Sequence, residues 1–403
     1  MTCVFEILTQ RLNLFKPQAK ALFALLNALM CFSGRATMRN LSRYGAGSAR
    51  RLRRWATKGF KFHQLNELLL VEHQVISFDE QDDERPRQAI AIDATFLRKS
   101  GTETEGLSWY HKGSSRAVNK LERGLEMSLI SILNLDEKSA YALEVQQRPG
   151  ESALQIAIDE FRQSGEYYLG ISKHVVADGY YARECFVSAL QESQLELVTL
   201  LRKDAALRYL YQGEYAGRGR PKVYGERVDY RDLSRWSCDD ELLEGKRVYS
   251  EVVNDKSWGR ELLVVIIIDH AGRRRILCST DLSLSAEEVI EIYQQRFQIE
   301  FLFRDAKQHT GLGHAQVLDS KGQEYFANAS LTALNILRLE ERERALSESA
   351  SLTQLVSSIR SLKTLKYNQF LLKRFISKLG NLRVAQNVET AYLETSQLGM
   401  VAA

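Results

Sequence analysis

The sequence predicts an α/β protein in which a core of strands and helices is split by a β-rich insertion and flanked by helical regions. Three features carry that expectation. After Pro86 the helical periodicity of residues 1–80 gives way to strand-length apolar runs. Through residue 203 these runs follow the order strand, strand, strand, helix, strand, helix, strand. Helical periodicity then returns at Ser285, where an S-x-x-E capping box with Glu288 satisfies the first donors of a new helix. Three strands in meander, followed by alternating helices and strands, is the order of a ribonuclease-H-like domain.

Within residues 1–80, "ATMRNLSRYGAGSARRLRRWATKG" gives a helix, a glycine-containing turn and a second helix that Ser48 can cap. That is a helix-turn-helix layout, with Arg50, Arg51 and Arg54 on the second helix, where a groove reader carries its cations. From Gly34 to Phe62 nine residues are basic and none is acidic, a one-signed field of the kind that binds phosphates. A solvated helix face is the plainer alternative. The acidic stretch "DEQDDERP" (79–86) reads as a linker into the core.

Residues 86–203 are expected to form the first part of the core. "QAIAIDATFL" (88–97) is a strand with Asp93 near its end, and "EMSLISILNLDEKSAYALEVQQR" is two strands joined by a polar turn. A helix follows from about Ser152 to Ser164. "HVVADG" is a short strand ending at Asp178-Gly179, before the helix "YYARECFVSALQES" and the strand "ELVTLLRK". Residues 204–282 interrupt the pattern with a Gly/Arg loop, "YAGRGRPKVYG", and three strand-like runs. Residues 283–320 return to the core with one long helix, and the proline-free residues 321–403 read as a helical C-terminal region.

The chain has 403 residues, 44% of them hydrophobic, and a net charge of +4, so it can hold two or three domains while bulk charge selects no partner. Its five cysteines are scattered, without a C-x-x-C pair or a Cys/His cluster, which gives no zinc motif and suits a reducing cytosol. The longest apolar runs are too short for a bilayer and the N-terminus lacks an export-signal layout. A soluble cytoplasmic protein with no membrane contact is expected.

In "YQQRFQIEFLFRDAK", Tyr293, Arg296, Glu300, Arg304 and Lys307 fall within an arc of roughly 80° on a helix that turns about 100° per residue. Apolar positions occupy the arc beside them, whereas a surface helix places its charges opposite the buried face. First and fourth strands are neighbours in a ribonuclease-H-like sheet, so Asp93 and Asp178 would meet there, and the late helix could bring Glu300 to them. Three carboxylates without His or Cys make a hard, oxygen-only site suited to Mg²⁺ or Mn²⁺. Two such ions, roughly 3.5–4 Å apart, can activate a hydroxyl and stabilise a leaving oxygen at a phosphodiester. Each acid alone has a plainer reading: a turn or capping aspartate, or a surface Glu–Arg pair.

Tyr293-x2-Arg296-x3-Glu300-x6-Lys307 resembles the Y-R-E-K signature of DDE transposases of bacterial insertion sequences, in the insertion sequence 4 family. "AIDAT", "VVADGYYA" and "STDLSLSAEEVIEIYQQRFQIEFLFRDAKQHTGL" carry the same likeness, over roughly residues 88–330. The resemblance implies a ribonuclease-H-like fold with a β insertion, and Asp93, Asp178 and Glu300 holding two Mg²⁺ ions. It implies water attack at a transposon end, a freed 3′-hydroxyl, in some members a hairpin, then strand transfer into target DNA by a DNA-bound homodimer. Tyr293, Arg296 and Lys307 resemble phosphate-contacting residues. Arg304 shares their face, as a further DNA contact or as an i+4 partner of Glu300.

"GRGRP" (217–221) contains Arg-Gly-Arg-Pro, the core of an AT-hook, so Arg218, Arg220 and the following Lys222 could enter a narrow minor groove or form a plain linker. Trp258, from its place between strands of the insertion, could hold an extruded base or be a turn or core tryptophan. His309 and His314 read as structural or phosphate-contacting rather than metal-binding. A nuclease of the same fold would keep the acids with less need of the Tyr/Arg/Lys stripe. A non-catalytic DNA-binding relative would have lost an acid.

Overall fold

Along Gln88–Arg98 (β1), Ile90 and Ile92 bury into one apolar cluster while Ala89 and Ala91 bury into another, so the sheet built on this strand has a core on each face. The computed structural model describes residues 2–78, 86–111, 121–214, 217, 221–347, 358–378, 392–393 and 395–397. The linker expected at 79–86 lies outside these residues except for Pro86.

Before β1 come α1 (Thr2–Glu6), a π-helical turn (Ile7–Arg11), α2 (Lys16–Cys31), α3 (Met38–Arg43), α4 (Ala49–Lys58) and α5 (Phe62–Glu72). The strands are β2 (Ser108–His111), β3 (Leu121–Asn134), β4 (Ser139–Gln146), β5 (His174–Ala177) and β6 (Glu196–Leu201), with α6 (Ala153–Ile171) and α7 (Glu184–Gln191) between them. Six more strands follow: β7 (Leu207–Leu210), β8 (Tyr224–Arg227), β9 (Ser237–Asp239), β10 (Lys246–Asp255), β11 (Arg260–Asp269) and β12 (Arg274–Ser279). Last come α8 (Ala286–Gln295), α9 (Phe297–Asp305), a π-helical turn (Ala306–Thr310), α10 (Ser320–Ser347) and α11 (Ile359–Lys378).

The strands join one twelve-stranded mixed sheet, ordered β2-β3-β1-β5-β6-β12-β11-β10-β7-β8, with β4 on β3 and β9 on β10. Among the described residues only the β1–β5 and β5–β6 pairs are parallel. The run β4-β3-β1-β5-β6 is the expected meander and its two parallel neighbours. The strands between residues 207 and 279 form no second sheet: β12 pairs with β6 and carries the same sheet onward.

Local chemistry explains where elements differ from the sequence reading. Ser152 caps α6, which continues past the expected end at Ser164 to Ile171; Ser164 itself leaves helical geometry (φ −123°), so the signal there marks a kink. The helix expected after Asp178 starts only at Glu184, because Asp178 first closes a turn, its Oδ1 accepting from Tyr180 N and its carbonyl from Tyr181 N. Ser48 caps α4, and Ser285 with Glu288 forms the full capping box on α8. The single late helix is broken at Arg296 into α8 and α9.

β4 is an edge strand whose free edge is covered by α10. Asn328 brackets Val145, and Asn335 brackets Ala142, each amide exchanging two hydrogen bonds of 2.7–3.0 Å with the strand backbone. Side chains thus do the work of a missing neighbour strand. α10 is buried on all sides through its middle turns and contributes to both apolar clusters.

Asp281 fixes the entry to α8. Its carboxylate accepts from Lys173 Nζ and His174 Nε2 at 2.9 Å and from Ser283 N and Oγ at 3.0 and 2.6 Å. Burial opposes the charge, but the donors from Ser283, His174 and Lys173 outweigh it and hold the carboxyl well below its usual range. A depressed folded-state value means stability that is fully present above pH about 4 and lost as pH falls through the folded-state titration. Asp281→Asn is expected to cost about 1–3 kcal/mol at neutral pH and to flatten the acid limb of the stability–pH curve, measured by thermal melts. Parallel acid limbs in the two proteins would contradict this account.

Candidate active site

Strand parity decides where the acids point. Ala89, Ala91 and Val176 lie on the face of the sheet covered by α8 and α9, so Asp93 and Asp178, each two residues further on, face the same way. The last registered pair of the parallel ladder is Ile92 with Ala177, and one step beyond it Asp93 stands beside Asp178. Asp93 is midway along β1, at the point where β5 ends and β1 runs on against β3 alone. Gly179 lets the chain leave β5 closely: a Cβ there would stand 3.0 Å from the Leu200 carbonyl oxygen.

α9 packs on the sheet against β1 and β4, burying Ile299, Leu302 and Phe303 in the apolar cluster of that face, which leaves Glu300 at the rim with its side chain 42% exposed. Arg296, at the break between α8 and α9, is the centre of the arrangement. Its guanidinium lies 3.3 Å from Asp93 Oδ2 and 2.9 Å from Glu300 Oε1, with the side chain only 10% exposed. Its Nε is buried without a partner among the described residues. Burial, with repulsion from Asp178 and Glu300, pushes Asp93 up to about 6, against the opposing pull of the Ala94 N–H and Arg296. Tyr181, almost wholly buried, lies under the two aspartates; burial and those two charges push its hydroxyl far up.

The other residues of the stripe divide. Burial pushes the half-covered Tyr293 hydroxyl up, and the Arg296 guanidinium carbon lies 5.9 Å from its ring centre. Lys307 donates to Thr95 Oγ1 (2.7 Å) and Phe96 O (3.0 Å), anchoring the π-helical turn to β1. Arg304 pairs with Asp305 (3.1 Å) and lies over Phe301 (4.5 Å), so Glu300 takes its arginine from i−4, not from i+4. Thr95, two residues past Asp93 on the same face, is a site residue the sequence reading missed; the period of two supplied the signal.

Elsewhere, Arg50, Arg51 and Arg54 are exposed on α4, opposite buried Leu52, Trp55 and Ala56. Arg54 and Lys58 each lie 5.2 Å from the Trp55 ring centre. Lys222 is exposed beside the Tyr211 ring, whereas Arg218 and Arg220 lie outside the described residues. Trp258 is 7% exposed, in the turn between β10 and β11, with its ring packed into the core rather than presented to solvent. His314 Nδ1 accepts from Ala36 N (3.1 Å), and the His309 carbonyl accepts from Lys363.

The three acids are not drawn into a ready-made cage: among the described residues no three His, Cys, Asp or Glu side chains are grouped so as to hold a metal ion. Their chemistry nonetheless fits a hard divalent cation. The donors are oxygen only, Asp93 is a half-buried acid beside two more, and a guanidinium supplies part of the positive charge they need. Among the described residues no helix is long and apolar enough to cross a membrane.

No curated protein matches the chain. Residues 84–336, from just before β1 into α10, match the family model of the transposase DDE domain, a family that acts on DNA and typically uses divalent metals. Since the match spans more than half of the sequence and contains all three acids, the chain belongs to the transposase DDE domain family.

Proposed function

We propose that this chain is a cut-and-paste transposase of the Y-R-E-K branch, related to the insertion sequence 4 family, which binds the inverted repeats at its element's ends and cuts and joins DNA there. The observation that carries the reading is Asp93, Asp178 and Glu300 on one side of the sheet with Arg296 between two of them. Asp93, Asp178 and Glu300 would hold divalent ions, Mg²⁺ or Mn²⁺, two by family resemblance. Such ions activate an oxygen nucleophile and neutralise charge at the reacting phosphate.

The protein's own groups do the rest. Arg296, freed from the acids it now bridges, can bind a phosphate bidentately, and Tyr293 beside it can hydrogen-bond or stack. Lys307 uses two of its three ammonium donors on β1, which leaves one for a backbone oxygen. Residues 1–80 bind the element's ends through α4, residues 204–282 are the family's β insertion, and two ends are paired by a DNA-bound homodimer in the cytoplasm.

Asp93→Ala, Asp178→Ala and Glu300→Ala are each expected to abolish cleavage of a plasmid carrying the gene with its flanking DNA. Duplex binding should stay within about threefold, less than 1 kcal/mol. Cleavage by any of the three with Mg²⁺ present would overturn the assignment of the acids. Replacing Arg51 and Arg54 with Ala should weaken duplex binding and reduce the slope of log K against log [salt] by about 1.8, two contacts at about 0.9 each. An unchanged slope would remove α4 from recognition.

Arg296→Gln removes the internal cation. Without divalent ions the variant should melt below the wild type, and titrated MgCl₂ should raise its melting temperature by more than it raises the wild type's. Equal shifts would show that Arg296 and the ions do not share the acids.

A further inference from the structure

A cleft of about 500 Å³ lies between α8 and the β6-β12-β11-β10 part of the sheet. Parity again decides its lining. On the face covered by α8, Val248, Val265 and Leu277 are buried, but towards one end of the strands the same-face positions become Lys246, Asp269 and Arg275. Lys203, just past β6, completes the row, and Tyr293 and Gln294 form the opposite wall. Arg274, one residue out of phase, turns to the other side and bonds Tyr230 O at 2.9 Å.

The lining is unbalanced in charge. Asp269 is its one acid among the described residues, and it is committed to Arg273 at 2.7 Å and to the N–H groups of Ala271 and Arg273. Lys203, Lys246 and Arg275 are exposed and have no ion-pair partner among the described residues. They sit on or beside β6, β12 and β10, an array crossing three strand spacings, roughly 14 Å at about 4.8 Å each. That spread suits an extended polyanion, because a lone phosphate draws its cations to one point. The cleft is also continuous with the carboxylates through Tyr293, which lines it and lies within electrostatic reach of both Asp178 and Arg275.

We propose that this cleft carries the sugar–phosphate backbone of the DNA strand whose phosphate sits at Asp93, Asp178 and Glu300, with Lys203, Lys246 and Arg275 pairing to successive phosphates and Tyr293 marking the junction. This deepens the DNA reading above and rests on it. The test uses the full chain and a fluorescein-labelled single-stranded oligonucleotide of arbitrary sequence, with anisotropy read over a KCl series. Lys203→Ala/Lys246→Ala/Arg275→Ala should reduce the slope of log K against log [KCl] by about 2, three contacts at about 0.7 each. Lys203→Arg/Lys246→Arg/Arg275→Lys should keep the wild-type slope, which separates lost charge from lost folding. An unchanged slope in the alanine variant overturns the cleft. If Arg51→Ala/Arg54→Ala still weakens duplex binding in that case, DNA recognition stands without the cleft. If neither variant changes binding, both readings fall.

Discussion

Three like charges brought together where α9 covers the sheet are unstable unless a cation stands among them, and this constraint organises the structure around Arg296. Asp93 is pushed up to about 6 by burial and by its acidic neighbours, so the site without an added cation is held by a guanidinium touching two of the three acids. The local backbone follows from the same requirement. α8 and α9 form a nearly continuous helix interrupted only at Arg296, and that interruption sets a long side chain deep between the sheet and Glu300. Its buried Nε has no partner among the described residues and is a donor that a phosphate or water oxygen in the site would satisfy.

Two scaffolding devices keep the acids in register. The parallel pairing of β1 with β5 fixes Asp93 beside Asp178, while Lys307 ties the turn after α9 to Thr95 and Phe96 on the same strand. The turn then closes on Gly311, whose φ of +86° favours glycine and where a Cβ would collide with the Ala36 side chain. Ala36, near the start of the basic stretch, donates its N–H to His314. The end of the acid-bearing helix is therefore packed directly on the segment that carries the cationic helices, and a substitution at Gly311 would disturb both.

Much of this was legible in the sequence because it rests on local periodicity. The strand carrying Asp93, the short strand leading into Asp178, the Ser48 cap and the capping box on α8 each follow from nearest-neighbour chemistry. What the sequence concealed is non-local. The amphipathic stripe from Tyr293 to Lys307 reads as one helix, because a break at an αR residue such as Arg296 leaves no propensity signal. Lys307 lies on the predicted face, yet its ammonium is spent largely on strand β1, a contact across more than two hundred residues. Trp258 could be placed in a turn from sequence, but the direction of its ring depends on the core that the turn closes.

The triplet Arg273-Arg274-Arg275 shows the same boundary at closer range. Read as composition it is a basic run at the start of a strand, with nothing to distinguish one arginine from the next. Alternation separates them once the strand is paired: Arg274 goes to Tyr230, Arg273 neutralises Asp269 on the face where α8 and Tyr293 lie, and Arg275 on that same face has no ion-pair partner among the described residues. A sheet that continues without interruption from β5 to β10 makes that face continuous with the one bearing Asp93 and Asp178. The added strands consequently extend the sheet face that bears the carboxylates, and Lys203, Lys246 and Arg275 lie along that extension rather than on a separate module.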